Sequence, residues 1–349
     1  MRAKIALALA PLTLGFGLWA GLLRLGWALP TFKTLPIAHG PLMISGFLGA
    51  LIGLERAVAL RKGWGYLVPF LALFGTLLWA FGIVWGAWAA FAASIVLSAL
   101  YLVAVRQQPS WSVTVMGAGA LCWGVGNLLW ALSWNFAQIT PWWAAFLVLT
   151  IVGERLELAR LQKLSGATRA LLALSLALFL GGLLLALGHR DLGVRVFSVG
   201  MLALALWLLR YDIARRTVHQ TGLVRYIAIS LLSGYCWLGC AGIFGVIWSS
   251  ASAGPYYDAR WHALFVGFVF SMIFGHAPVI FPALLKLRIP FSASFYAPLA
   301  LLHLSLIVRI LSDLALWGIG RQWGGLLNAL AILLFFANTG IIHRRSHQR

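Results

Sequence analysis

Four histidines lie within long apolar stretches of the chain, where an ionisable side chain is costly and therefore suggests a function. They are His39, His262, His276 and His303. Two neutral imidazoles on neighbouring helices can ligate a haem iron from opposite faces of the porphyrin. His39 and His262 each lie at the predicted outer start of a stretch, so we expect similar membrane depths. The pair predicts a haem b site. The alternative for each is a histidine hydrated at the lipid headgroups.

Two arginines accompany this pair in the predicted outer half. Arg309 lies well inside an apolar stretch, and Arg321 follows in the next loop. A guanidinium can bind a haem propionate with two parallel hydrogen bonds. Alternatively, Arg309 can pair with Asp313, which is four residues further along the same helix. We favour the Arg309–Asp313 pair, and one arginine can serve in both roles.

A repeated Glu-Arg sequence marks two predicted inner helix ends. Glu55 begins "ERAVALRKG" and Glu154 begins "ERLELARLQKLSG", 99 residues later. With Glu157 and with His276 of "FGHAP", these glutamates predict a carboxylate–histidine cluster for a metal ion or a proton. The alternative, which we favour, is that each glutamate neutralises an arginine at the membrane boundary.

The composition explains why such side chains need a membrane setting. Hydrophobic residues make up 62% of the chain and charged residues 9%, whereas about a quarter of a typical soluble chain is charged. Apolar runs of about 20 residues recur along the whole length without β-barrel alternation, so we predict a polytopic all-α membrane protein forming one domain over 1–349. The net charge of +19 comes from short basic clusters between these runs, which excludes a nucleic-acid partner.

The apolar runs predict about twelve transmembrane helices. The predicted spans are 5–27, 38–59, 66–84, 86–105, 111–133, 141–160, 168–187, 193–209, 223–249, 259–284, 293–313 and 322–342. With a cytoplasmic N-terminus, 19 of the 26 basic residues fall on the inside, which predicts that both termini are cytoplasmic. The four-span step of the Glu-Arg repeat suggests three quasi-equivalent four-helix arcs. Gly46, Gly49 and Gly53 predict close helix packing.

Three segments resemble known membrane haem proteins. "HGPLMISGF", starting at His39, resembles the helix-2 motif of haem–copper oxidase subunit I. The whole chain is more similar to NnrS, a twelve-span bacterial family related to nitric-oxide stress and described as binding haem and copper. The segments "WHALFVGFVFSMIFGHAPVIFPALL" and "HLSLIVRI", which contain His262 and His303, resemble two consecutive NnrS helices.

The resemblance implies a bacterial inner-membrane haem b protein, linked to the nitric-oxide response or to denitrification. His39 and His262 would ligate the iron, and a respiratory electron donor or reductase subunit would be its partner. Any copper would use His276, His303 or the glutamates. Oxidase-type dioxygen reduction is not expected, because predicted spans 6 and 7 contain no histidine. The alternatives are a cofactor-free proton- or cation-coupled transporter or channel using Glu55, Glu154 and His276, and a non-catalytic assembly or sensor subunit.

Overall fold

The fold is entirely helical over the part of the chain that the structure describes. A computed structural model describes residues 2–32, 34–158, 165–285 and 289–347. We number its long helices α1 Arg2–Arg24, α2 Pro36–Ala59, α3 Gly63–Ala80, α4 Trp85–Gln107, α5 Trp111–Ala131, α6 Phe136–Leu158, α7 Gly166–Leu185, α8 Arg190–Tyr211, α9 Gly222–Ile247, α10 Gly254–Pro282, α11 Ala293–Leu314 and α12 Gly318–His347.

These helices confirm the predicted multi-pass membrane protein. Eleven described helices are long and apolar enough to cross a bilayer, and Leu9–Arg24 of α1 forms a shorter apolar helix. One predicted boundary that concerns the site was wrong: α10 begins at Gly254, whereas the predicted span began at residue 259. This extension places Asp258 and Arg260 inside a helix. Six basic residues used for the topology prediction lie outside the described residues: Lys33, Arg160, Lys163, Lys286, Arg288 and Arg349.

The chain divides into two compact units. The N-terminal unit is Met1–Leu158, with α1–α6, and the C-terminal unit is Ala159–Arg349, with α7–α12. The contacts within each unit are largely between helices adjacent in sequence, such as α5 with α6 and α7 with α8. The Glu-Arg repeat therefore links α2 and α6 within the N-terminal unit, and the three quasi-equivalent arcs stay a prediction.

Two helices contain π-helical segments next to predicted site histidines. In α2 the segment is Leu42–Gly49, which follows His39, and in α10 it is Ala263–Val269, which directly follows His262. A π-helix has i→i+5 hydrogen bonds, is rare, and is frequently found at functional sites. The shared position of the two histidines, just before this irregularity, was not visible from residue periodicity.

Glycines allow the close packing predicted for α2. A β-carbon at Gly46 would overlap the Thr76 side chain of α3 and lie 3.2 Å from the Thr13 side chain of α1, and one at Gly49 would overlap the Trp123 ring of α5. Gly53 faces Val68 of α3 in the same way. Small residues at such positions let helix backbones approach closely, and the predicted role of these three glycines is confirmed.

A polar network within the N-terminal unit connects α2, α4, α5 and α6. Asn127 Oδ1 accepts hydrogen bonds from Ser45 Oγ at 2.9 Å and from Trp143 Nε1 at 2.9 Å. Asn127 Nδ2 donates to the Ala90 carbonyl oxygen at 3.0 Å, and Trp123 Nε1 donates to Ser45 Oγ at 3.0 Å. Because the amide serves three partners inside an apolar bundle, it holds four helices in one register.

We expect Asn127→Ala to lower the free energy of unfolding by about 1–2 kcal/mol, because buried donors on Ser45 and Trp143 lose their acceptor. Unfolding in mixed detergent micelles measures this change. Ser98→Ala is the matched control, since Ser98 Oγ bonds only to the Ser94 carbonyl of its own helix. An equal loss in the two variants would contradict the cross-helix role of Asn127.

The three cysteines differ in environment. Cys122 is buried, Cys240 is partly buried and Cys236 is exposed on α9. Cys122 is therefore a core residue, whereas the Cys236 side chain is exposed at the surface of the described structure. In a membrane this surface contacts lipid or a partner helix, where a thiol is tolerated as a small apolar group.

Candidate functional site: histidines with defined tautomers and a buried ion-pair network

His262 is held by the preceding turn of α10. Its Nδ1 lies 2.9 Å from the Asp258 carbonyl oxygen and 3.3 Å from the Asp258 carboxylate. Both oxygens can only accept, so Nδ1 must carry the hydrogen. In the neutral ring, the lone pair is then on Nε2. A carboxylate next to one ring nitrogen is the arrangement that orients metal-ligating histidines through the other nitrogen.

The Asp258 carboxylate also binds two arginines. Arg309 Nη2 lies 2.8 Å from Asp258 Oδ2, with Arg309 Nε at 3.3 Å from the same oxygen, and Arg321 Nη2 lies 3.6 Å from it. Asp258 is 14% exposed. Three helices, α10, α11 and α12, thus place charged groups around one buried carboxylate, which is satisfied by partners of opposite charge.

Asp313 completes this network through Arg321. Arg321 Nε lies 2.9 Å from Asp313 Oδ1, although neither Asp313 oxygen accepts a well-aligned hydrogen bond. The Asp313 side chain is 0% exposed. The expected Arg309–Asp313 pair within α11 is replaced by two pairs between helices, Arg309 with Asp258 and Arg321 with Asp313. The helical spacing was correct for a pair, but the neighbouring helices offer better partners.

The existing ion pairs argue against propionate binding by these arginines. Arg309 pairs with Asp258, and Arg321 contacts both Asp258 and Asp313, so each guanidinium already has a carboxylate partner. A haem propionate would have to compete with these carboxylates in a low-dielectric setting. Propionate binding by Arg309 and Arg321 stays a prediction.

His39 has the same tautomer as His262 but a different partner. Its Nδ1 lies 2.8 Å from the Gly17 carbonyl oxygen of α1, so Nδ1 donates and the neutral ring has its lone pair on Nε2. A β-carbon at Gly21 would approach the ring to 2.9 Å. Glycine at this position therefore lets the imidazole lie against the α1 backbone. The pairing of His39 with His262 on one iron stays a prediction.

The other two histidines differ from each other. His276 Nδ1 lies 2.7 Å from the Met272 carbonyl oxygen, which leaves the lone pair on Nε2. His303 has the opposite tautomer, because Trp237 Nε1 donates to its Nδ1 at 3.0 Å. Its Nε2 then carries hydrogen and has no hydrogen-bond partner among the described residues. Ligation by His303 would require loss of the Trp237 bond or of the Nε2 hydrogen, which argues against its predicted metal role.

The repeated Glu-Arg sequences meet within the N-terminal unit. Arg56 Nη2 lies 3.0 Å from Glu55 Oε1 and 3.9 Å from Glu154 Oε1. The ring of Tyr101 lies beneath the guanidinium, 5.7 Å from Cζ to the ring centroid. One arginine thus contacts both predicted glutamates, which agrees with the favoured interpretation of charge neutralisation. Glu157 is exposed at the end of α6.

The predicted carboxylate–histidine metal cluster does not form within the described ranges. No group of three or more His, Cys, Asp or Glu side chains in 2–32, 34–158, 165–285 and 289–347 is placed to hold a metal ion. Glu55 and Glu154 both contact the guanidinium of Arg56 instead of a metal ion. The positive guanidinium would repel a metal ion that approached the two carboxylates.

The sequence matches one family over nearly its whole length. A family model described as Domain of unknown function (DUF8744) matches residues 2–343. The chain belongs to this family. A search of curated proteins finds no match.

In this DUF8744 member, sequence reasoning missed Asp258 and Tyr101. The signal for Asp258 was present as "DARWH", in which an aspartate precedes His262 by four residues on one helix face. It was overlooked because the predicted span began after Asp258. Tyr101 carried no comparable signal, since one tyrosine in an apolar helix is usually part of the core.

Proposed function

We propose that this multi-pass protein binds haem b in the bacterial cytoplasmic membrane and serves a redox role linked to nitric oxide. The observation that supports it best is the tautomer of His262, held by Asp258 with Nε2 as the nitrogen suited to iron. His39 has the same tautomer on α2. Bound haem b would supply one-electron transfer or an iron able to bind nitric oxide.

The chain's own residues have distinct tasks in this proposal. Gly17 and Asp258 set the tautomers of His39 and His262, while Arg309 and Arg321 keep the Asp258 carboxylate charged and in place. A π-helical segment follows each of the two histidines and would set how the histidine is rotated relative to the rest of its span. Copper is not part of the proposal, because the described residues contain no group of three ligands.

The absorption spectrum tests this function. We expect protein purified from cells supplied with haem precursor to show a Soret band, and His262→Ala to lose at least about nine tenths of it, because one axial bond is removed. His39→Ala is expected to behave similarly.

His276→Ala is the matched control. His276 lies on the same helix as His262 and has the same tautomer, but the proposal does not make it a haem ligand. Its Soret band should keep the wild-type intensity. A wild-type protein without a Soret band would contradict haem binding and would favour the cofactor-free transporter. Equal losses in His262→Ala and His276→Ala would contradict the ligand assignment.

A further inference from the structure

A second polar site lies within the N-terminal unit, where α2, α4 and α6 bring charged groups together. Glu55 and Glu154 share Arg56, at 3.0 and 3.9 Å. Arg155 and Glu157 on α6 add one charge of each sign to the same environment. Close to it along the chain, Gly53 packs against Val68 of α3 and Gly153 packs against Met116 of α5. Two carboxylates thus contact one guanidinium among the described residues.

Two buried donors in this site have no acceptor. The Tyr101 side chain is 1% exposed, and its hydroxyl makes no hydrogen bond to the described residues. Arg56 Nε is also buried without a hydrogen-bond partner. Tyr101 and Arg56 interact electrostatically, as do Arg56 and both glutamates. Buried donors without a partner are rare in proteins and indicate an ordered water that accepts from them.

We propose that Glu55, Glu154, Arg56 and Tyr101 form a hydrated proton-binding site, in which the two carboxylates share one proton with a water held by the two donors. The water accepts from Tyr101 and Arg56 Nε and donates to a carboxylate, so every polar group gains a partner. Binding adds H⁺ to one carboxylate oxygen, and release returns H⁺ to water. No electron is transferred in this step.

A proton suits this site better than a metal cation. A metal ion would need several oxygen ligands around it and would be repelled by the guanidinium between the glutamates. A proton needs one oxygen only, and it neutralises one of the two carboxylates without displacing Arg56. The ligand is therefore a proton carried by water, and the site gives the N-terminal unit a proton-exchange function that does not depend on haem.

Infrared difference spectroscopy tests this proposal, because the chain has only seven acidic side chains. We expect a carboxylic-acid C=O band that appears on acidification, shifts in D₂O and is lost in the Glu55→Gln/Glu154→Gln double variant. Tyr101→Phe should keep the band but shift its frequency, because the phenol no longer orders the water. Asp191→Asn removes an exposed carboxylate of the C-terminal unit, so it is the control and should leave this band unchanged.

Two outcomes would overturn the proposal. One is a difference spectrum of the double variant that matches the wild type, and the other is a Tyr101→Phe spectrum without any frequency change. Tyr101→Phe keeps the side-chain volume, so it remains informative if the double variant folds poorly. The Soret band separates this result from the haem proposal, because these variants leave both His39 and His262 in place and should keep their haem.

Discussion

Replacing Arg321 with leucine is expected to lower the free energy of unfolding by about 3 kcal/mol, one of the two largest effects that we predict. Asp313 is fully buried, and Arg321 Nε lies 2.9 Å from its carboxylate. Removing one partner of a buried pair leaves an uncompensated charge, which typically costs about 3–5 kcal/mol. The lower value applies because the Arg321 side chain is 29% exposed. Unfolding by denaturing detergent in mixed micelles measures the change.

The double variant Asp313→Leu/Arg321→Leu is the control for this result. It removes both charges, so most of the lost stability should return, to within about 1 kcal/mol of the wild type. The coupling free energy from the double-mutant cycle would then isolate the pair from other effects of each substitution. A double variant as unstable as Arg321→Leu alone would show that Arg321 stabilises through Asp258 or through packing.

Replacing Gly182 with alanine is expected to cost about 2–3 kcal/mol, because α7 and α8 are in backbone contact there. A β-carbon at Gly182 would lie 2.6 Å from the Phe197 Cα atom, which cannot move without displacing α8. Overpacking against a backbone forces the helices apart and typically costs about 1–3 kcal/mol. The same unfolding assay reports this change.

Gly181 is the matched control for this substitution. It is the adjacent residue on the same helix, and a β-carbon there would meet nothing within 4 Å. Gly181→Ala should leave stability unchanged or raise it slightly, since alanine favours a helix by about 1 kcal/mol over glycine. If both alanine variants lost the same stability, the loss would come from the backbone of α7 rather than from its contact with α8.

The positions of most membrane-spanning helices could be predicted from hydropathy alone. The bilayer requires long apolar helices, and this requirement acts on each run of residues independently of its neighbours. The close packing of Gly46, Gly49 and Gly53 was predictable for a similar reason, because small residues in apolar helices have few other roles. The boundaries were less certain, and the five residues missed at the start of α10 included Asp258.

The partners of the charged side chains could not be predicted, because they depend on which helices become neighbours. Arg309 had a plausible partner at i,i+4 in Asp313, yet α10 and α12 brought Asp258 and Arg321 into the same network. The tautomer of His303 also depends on a tryptophan 66 residues away in sequence. Local spacing predicts which pairs are possible, whereas helix packing decides among them.

The π-helical segments that follow His39 and His262 affect how the sequences of homologues should be aligned with this one. Successive α-helical residues are about 100° apart around the axis, so a homologue one residue shorter in Leu42–Gly49 or Ala263–Val269 can revert to regular helix. That shortening would rotate the imidazole by about a quarter of a circle relative to the remainder of the span. A single-residue gap at either place would therefore mark a relative that retains the histidine but points it elsewhere.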